Sequence, residues 1–218
     1  MEKIHINETF KSIDGEVNRW GQGILSTFLR FQGCNLKCTY CDSKRTWDKT
    51  KGVFLSVDEV MDRVEGAGNR KVTITGGEPL LQPNSLFELT KRLFKGGFDV
   101  SVETNGTLPL RGFNVGSWVV DCKLSNIGNG KGDILHLGTV KKLGMNDFIK
   151  FLVGSKRDFE DALDYHNDIL ALGVNTNFAY SPIHGRMSAR RLLGLMQDHH
   201  LTVNSYLNVQ IHKLIKVA

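Results

Sequence analysis

Cys34, Cys38 and Cys41 sit in the run Cys-Asn-Leu-Lys-Cys-Thr-Tyr-Cys, a C-x3-C-x2-C spacing that uses three of the chain's four cysteines. Three thiolates complete only three corners of a [4Fe–4S] cube, so the fourth iron of such a cluster keeps room for a non-cysteine ligand. Chemistry can occur at that iron. A zinc ion held by these cysteines and one distant residue is the alternative. Structural zinc sites, however, bring cysteines in C-x2-C pairs with a second pair at a distance, and none follows here. Disulfides are disfavoured, because cysteines so clustered cannot staple a chain of 218 residues. Cys122 ends an apolar run and reads as a buried structural thiol.

Four further polar clusters have the composition of ligand-binding turns. Thr75-Gly76-Gly77-Glu78-Pro79 follows a β-branched run, and its glycines allow a close backbone approach to a ligand or simply a tight turn. Glu103-Thr104-Asn105-Gly106-Thr107 offers a carboxylate and an amide suited to ribose hydroxyls or to shaping a cavity; an Asn-Gly turn is the plainer reading. Asp121, Lys123, Ser125 and Asn126 could supply a cation and hydroxyl to a carboxylate, or form a solvated loop with an ion pair. Ser181-Pro182-Ile183-His184 is the last, a loop whose backbone could edge a purine ring.

Short β-rich runs alternating with amphipathic helical stretches must position these clusters, the pattern of a parallel α/β sheet. Strands are expected at Ile24–Phe31, Lys71–Thr75, Asp99–Glu103, Trp118–Cys122, Phe148–Val153, Val174–Tyr180 and Val203–Val209. Helices are expected from Ser56, with Glu59 completing a capping box and Gly66 as the stop, and near Ser85–Phe94, Arg157–Leu172 and Ser188–His199. About seven parallel strands with fewer helices predict an open, incomplete (β/α) barrel with abbreviated helices. No linker divides residues 1–218, so a single domain is expected. Cys34, Gly77, Asn105, Lys123 and Pro182 all fall just past expected strands, where such folds place ligand chemistry.

Bulk properties narrow the function class. The net charge of +5 is spread without a Lys/Arg block, which argues against nucleic-acid binding and suits an anionic small substrate equally well. No run approaches a membrane span, and Met1-Glu2-Lys3-Ile4-His5 lacks the build of a signal peptide, so a cytoplasmic enzyme is expected.

The cysteine spacing, with Thr-Gly-Gly-Glu-Pro about 35 residues on, resembles the radical S-adenosylmethionine (SAM) superfamily. Phe10-Lys11-Ser12-Ile13-Asp14-Gly15-Glu16, Phe28-Leu29-Arg30-Phe31-Gln32-Gly33-Cys34 running into Cys41-Asp42-Ser43, Glu-Thr-Asn-Gly-Thr, and the closing Val209-Gln210-Ile211-His212-Lys213 resemble one family within it. That family is the 7-carboxy-7-deazaguanine synthases, and the likeness covers nearly the whole chain. The resemblance implies conversion of 6-carboxy-5,6,7,8-tetrahydropterin to 7-carboxy-7-deazaguanine, a 7-deazapurine precursor of the queuosine type. A 5′-deoxyadenosyl radical would take hydrogen from C6, the ring would contract, ammonia would leave and SAM would be regenerated.

By resemblance the cofactors are a [4Fe–4S] cluster on Cys34, Cys38 and Cys41, SAM, and Mg2+ at Ser43, which stands where the family has Thr. SAM would meet Tyr40, Asp42, Gly77, Glu78, Asn105, Lys123, Ser125, Asn126, Ser181, Pro182, Ile183 and His184. Substrate would meet Ile13, Asp14, Gly15, Glu16, Arg30, Thr75, His212 and the terminal Ala218. Asp14 replaces a family Gln and Val17 a Gly. A homodimer and an electron donor such as flavodoxin are also implied. A glycyl-radical-enzyme activase shares the cysteine loop but has no need for a Ser-Ile-x-Gly-Glu segment or a Gln-x-His-Lys tail. A zinc-stabilised binding module without catalysis is the remaining alternative.

Overall fold

A computed structural model of the chain describes residues 3–124, 135–201 and 204–217. One nine-stranded sheet runs through it in the order β3-β1-β2-β4-β5-β6-β7-β8-β9 and does not close on itself. The strands are β1 Lys3–Ile13, β2 Leu25–Phe31, β3 Val53–Ser56, β4 Lys71–Gly76, β5 Asp99–Thr104, β6 Ser117–Cys122, β7 Phe148–Val153, β8 Asn177–Pro182 and β9 Ser205–Leu207. From β2 through β9 every neighbour pairs parallel, giving the seven expected parallel strands. Two antiparallel strands are additional. β1 precedes the expected first strand and pairs with β2, and the short β3 pairs with β1 to form one edge.

The helices are α1 Val57–Ala67, α2 Pro83–Lys95, α3 Leu137–Val140, α4 Lys156–Ala171, α5 Ala189–Asp198 and α6 Ile211–Leu214. Ser56 and Glu59 form the expected capping box on α1, a device worth about 1 kcal/mol. Gly66 lies inside that helix; the stop is Gly68, whose φ of 77° needs no Cβ-bearing residue. Among the described residues no helix separates β5 from β6, and only the four-residue α3 stands between β6 and β7. The abbreviated crossovers therefore cluster in the middle of the sheet.

Strand alternation sorts side chains between the two faces. Leu29 and Phe31 of β2 are fully buried against the helices with Leu86, Leu89 and Leu93 of α2, while Phe28 and Arg30 point into the concave side. At the C-terminal strand ends lie the cysteine loop after β2, the glycine turn after β4 and Asn105 after β5. At the opposite end, residues 14–24 join β1 to β2 and pass beneath the sheet. Arg19 N–H donates to the Ser117 hydroxyl at 3.3 Å, Trp20 packs on Gly116, and Val17 clusters with Phe148 and Ala179. This loop forms a floor under the concavity. No helix among the described residues is long and apolar enough to cross a membrane.

Candidate active site

The concave side encloses a cavity of about 430 Å³. Cys34, Cys38 and Cys41 line it at the strand C-termini, while Ile13, Gly15 and Glu16 line it from the floor loop. Cys122 belongs to the apolar core instead. The cysteine loop folds by local bonds: Cys41 N–H donates to the Cys38 carbonyl at 3.1 Å, and Leu36 N–H donates to Cys34 Sγ at 3.4 Å. The Asn105 amide nitrogen lies 4.0 Å from the same sulfur. N–H groups aimed at a thiolate sulfur are part of how proteins tune iron–sulfur clusters. Burial raises the Cys34 and Cys38 thiols above their ordinary value, so cluster assembly must displace their protons. Among the described residues no three His, Cys, Asp or Glu side chains gather as a single ion requires. Cys34, Cys38 and Cys41 are the thiols that would hold three irons of a [4Fe–4S] cluster.

The glycine turn is shaped by the loop it abuts. A Cβ on Gly77 would fall 2.0 Å from the Gly33 carbonyl oxygen, and one on Gly76 2.3 Å from that of Phe31. Gly77 N–H and Glu78 N–H donate to these same two carbonyls, Phe31 and Gly33, at 3.0 and 2.8 Å. Glu78 does not line the cavity: its carboxylate is fully buried and accepts from Leu80 N–H, Thr104 Oγ1 and Asn105 N–H at 2.7–2.9 Å. Burial pushes it up to about 6 even so. Its visible work is to tie the β4 turn to the β5 turn, which places Asn105.

On the β6 side, Lys123 pairs with Asp121 at 3.0 Å and stands 5.8 Å from the centre of the Tyr40 ring. The buried Tyr40 hydroxyl has no hydrogen-bond partner among the described residues. Burial pushes that phenol up, so it stays a neutral donor. An unmet donor, a cation and an aromatic face beside the cysteine loop fit a nucleoside bearing an amino-acid tail.

Two charged networks line the cavity, each joining strand residues to loop or tail residues. Glu8 pairs with Arg30 at 2.7 Å, and Arg30 donates to the Ser43 hydroxyl at 3.1 Å, which donates to Asp42 at 3.0 Å. Asp42 pairs with Lys213 of α6 at 3.0 Å. Burial opposes ionisation of Asp42, yet Lys213, Ser43 and Arg30 together hold it down at about 2. Across the cavity Lys150 pairs with Glu16 and, at 3.0 Å, with Asp121, its register partner on β6. Burial works against that ammonium, but Asp121, Glu16 and Glu103 keep it well above the ordinary lysine range. Gln210 and Asn208 also donate to Glu16, at 2.8 and 3.2 Å.

Two expected residues meet directly. Gly15 lies under His212, so that a Cβ there would stand 1.8 Å from the imidazole Nδ1. Burial keeps His212 below its ordinary value, so it faces the cavity as a neutral ring. Thr75 donates to Glu103 at 2.8 Å. Burial and the neighbouring carboxylates push Glu103 up to about 7 despite Lys150.

Of the residues expected from the sequence, Tyr40, Asp42, Ser43, Gly77, Asn105, Lys123, Ile183, His184, Ile13, Gly15, Glu16, Arg30, Thr75 and His212 line this cavity with the cysteines. Ser181 and Pro182 do not, because β8 starts and ends later than expected and includes both; the Ser181 hydroxyl is spent on the Asn208 carbonyl at 3.0 Å. Asp14 points away into the floor and pairs with Lys71 at 3.0 Å. Ser125, Asn126 and Ala218 lie outside the described residues. Glu103, whose carboxylate the sequence offered for shaping a cavity, lines it too, and sequence reasoning passed over Lys150, Arg45, Gln210 and Lys213, which also do. Lys150 had a signal: it is the lone charge inside the apolar run Phe148–Val153.

Residues 28–121 match the Radical SAM superfamily. A 7-carboxy-7-deazaguanine synthase of Clostridium acetobutylicum is 36% identical over 95% of this chain and 94% of its own length. One from Escherichia coli K12 is 30% identical over 98% of both. The crystal structure of QueE from Escherichia coli superposes with a TM-score of 0.77 at 28% identity, covering 95% of this chain and 93% of that one. The structure of TYW1 with a lysine-pyruvate adduct shares the fold, with a TM-score of 0.58 at 18% identity. With its cysteine loop, open parallel sheet and full-length likeness to these relatives, the chain belongs to the 7-carboxy-7-deazaguanine synthase family of radical SAM enzymes.

Proposed function

We propose that this cavity converts 6-carboxy-5,6,7,8-tetrahydropterin to 7-carboxy-7-deazaguanine, with SAM bound under the cysteine loop and the pterin between that loop and the floor. One observation carries the reading: the three cysteines and the Glu16–Arg30 pair of opposite charges face one another across a single cavity. The cluster and SAM, when bound, supply a radical that takes a hydrogen atom from carbon. The protein's residues do the rest. Glu16, fixed by Lys150, Gln210 and Asn208, accepts from the amino-pyrimidinone edge of the pterin. Arg30, held by Glu8, answers the substrate carboxylate. Glu103, raised to about 7 by burial and its neighbouring carboxylates and held by Thr75, is the carboxyl placed to exchange a proton with the departing amine.

Ser43 and Asp42 offer hard oxygens beside Arg30 that would hold Mg2+, which would supply a further positive charge for the substrate carboxylate. We read the whole chain as one domain, which the single sheet supports, and as a cytoplasmic homodimer reduced by a flavodoxin-type donor. Anaerobic reconstitution and incubation with SAM, Mg2+, a reductant and the carboxytetrahydropterin tests the reaction. Product of the deazaguanine mass with release of ammonia is expected. SAM cleavage with the pterin untouched would overturn the substrate assignment while leaving the superfamily chemistry standing.

A further inference from the structure

Asp14 is the one residue of the Ile13-Asp14-Gly15-Glu16 segment that turns its back on the cavity. Only 1% of it is exposed, and its partner Lys71, the first residue of β4, is 3% exposed. Their ion pair of 3.0 Å is the centre of a closed polar network. Asp14 Oδ2 also accepts from Asn18 Nδ2 at 2.9 Å and Thr73 Oγ1 at 3.0 Å. Lys71 Nζ donates to Thr73 Oγ1 at 2.9 Å, Ser101 Oγ at 2.5 Å and the Val72 carbonyl at 3.1 Å, and Trp20 covers it with its ring centre 5.2 Å away. Every partner comes either from the floor loop or from the N-terminal halves of β4 and β5. Asp14 is thus the rivet between the floor and the sheet.

The backbone makes that rivet matter for the site. Asp14 N–H donates to the Ile24 carbonyl at 2.7 Å and Gly23 N–H to the Asp14 carbonyl at 2.8 Å, which pinches the loop at its neck. Gly15 and Glu16 follow immediately, and they contact His212 and Lys150. A shift of Asp14 therefore carries directly into two cavity-lining residues. An anion is tolerated in so dry a place only with a cation supplied beside it. Lys71 is that cation.

We propose that Asp14 and Lys71 form a coupled positioning pair that holds the floor of the cavity, and that Asp14 makes no contact with substrate. This rests on the pterin reading of the site for its kinetic test but not for its structural one. Replacing one partner strands a buried charge, whereas Asp14→Asn with Lys71→Met removes both charges at similar volume. The singles should raise KM for the pterin about tenfold to a hundredfold, the scale expected when a binding group is misplaced by about 1 Å, with SAM cleavage retained. They should also speed tryptic cleavage after Arg19, the exposed basic residue of the loop. The double variant should return both readouts close to the unaltered protein.

If Asp14 instead touches the substrate, the double variant stays as impaired as Asp14→Asn, and the proposal falls. It falls equally if the singles leave both KM and Arg19 cleavage unchanged. Should a single variant fail to fold, the double decides alone: near-native KM and near-native resistance at Arg19 support the pair, and a tenfold KM defect refutes it. If the unaltered protein makes no deazaguanine, the pterin reading has failed, and the Arg19 cleavage series still tests the rivet.

Discussion

Gly15→Ala should open the substrate half of the cavity. Gly15 does not occupy a positive-φ conformation, so the substitution costs nothing in backbone strain. The cost is contact. The new Cβ would sit 1.8 Å from His212 Nδ1, 2.7 Å from Cγ and 3.0 Å from Cβ. Carbon contacts settle near 3.5–4.0 Å, so the ring must retreat by roughly 2 Å, and a rotamer change alone leaves the Cβ contact tight. His212 is on α6, which Lys213 pins to Asp42 at 3.0 Å, so the retreat strains or breaks that pair. Overpacking of this kind costs about 1–3 kcal/mol, which in binding terms is about 5- to 150-fold. The expected result is a rise of that size in KM for the pterin. In a His212→Ala background most of the clash is gone, and the same substitution should cost under about 0.5 kcal/mol. An unchanged KM in the single variant, or equal penalties in the two backgrounds, would refute the close packing of floor and tail.

Three further outcomes follow from the charges in the cavity. Lys150→Met leaves Glu16 and Asp121 without their shared cation and should lower stability in chemical denaturation by about 3–5 kcal/mol; a loss below about 1 kcal/mol would contradict the buried network. Glu103 is raised from its ordinary 4.5 to about 7, so the folded protein binds that proton more tightly than the unfolded chain. Its contribution to stability is present below pH 4.5 and lost as the pH rises through about 7, and Glu103→Gln should flatten the stability profile across that window. Ser43→Ala should raise the Mg2+ concentration needed for half-maximal turnover, whereas Ser43→Thr should leave it unchanged.

Local signals in the sequence revealed most of the parallel sheet, because each of its buried strands is a compact β-rich run with turn residues at its ends. β1 was hidden because Lys3–Ile13 mixes charged and polar residues with its apolar ones, and β3 because four residues carry too little pattern. The cavity's cysteine wall was legible for a similar reason: its ligands are adjacent in sequence. Its charged networks were not, since Lys150 meets Glu16 across 134 residues and Asp14 meets Lys71 across the sheet. Glu78 shows the limit of motif reading, for a carboxylate in a glycine turn looks like a ligand group until its three internal donors are seen.

The central claim is that one cavity holds the SAM-binding wall and the pterin-binding floor in contact. Substrate deuterated at C6 tests it most directly, with mass spectrometry of the adenosyl group of SAM, and of any free nucleoside, recovered after anaerobic turnover. Deuterium at the 5′ carbon is predicted. Nucleoside carrying only solvent or protein hydrogen, while deazaguanine accumulates or the pterin persists, would contradict it.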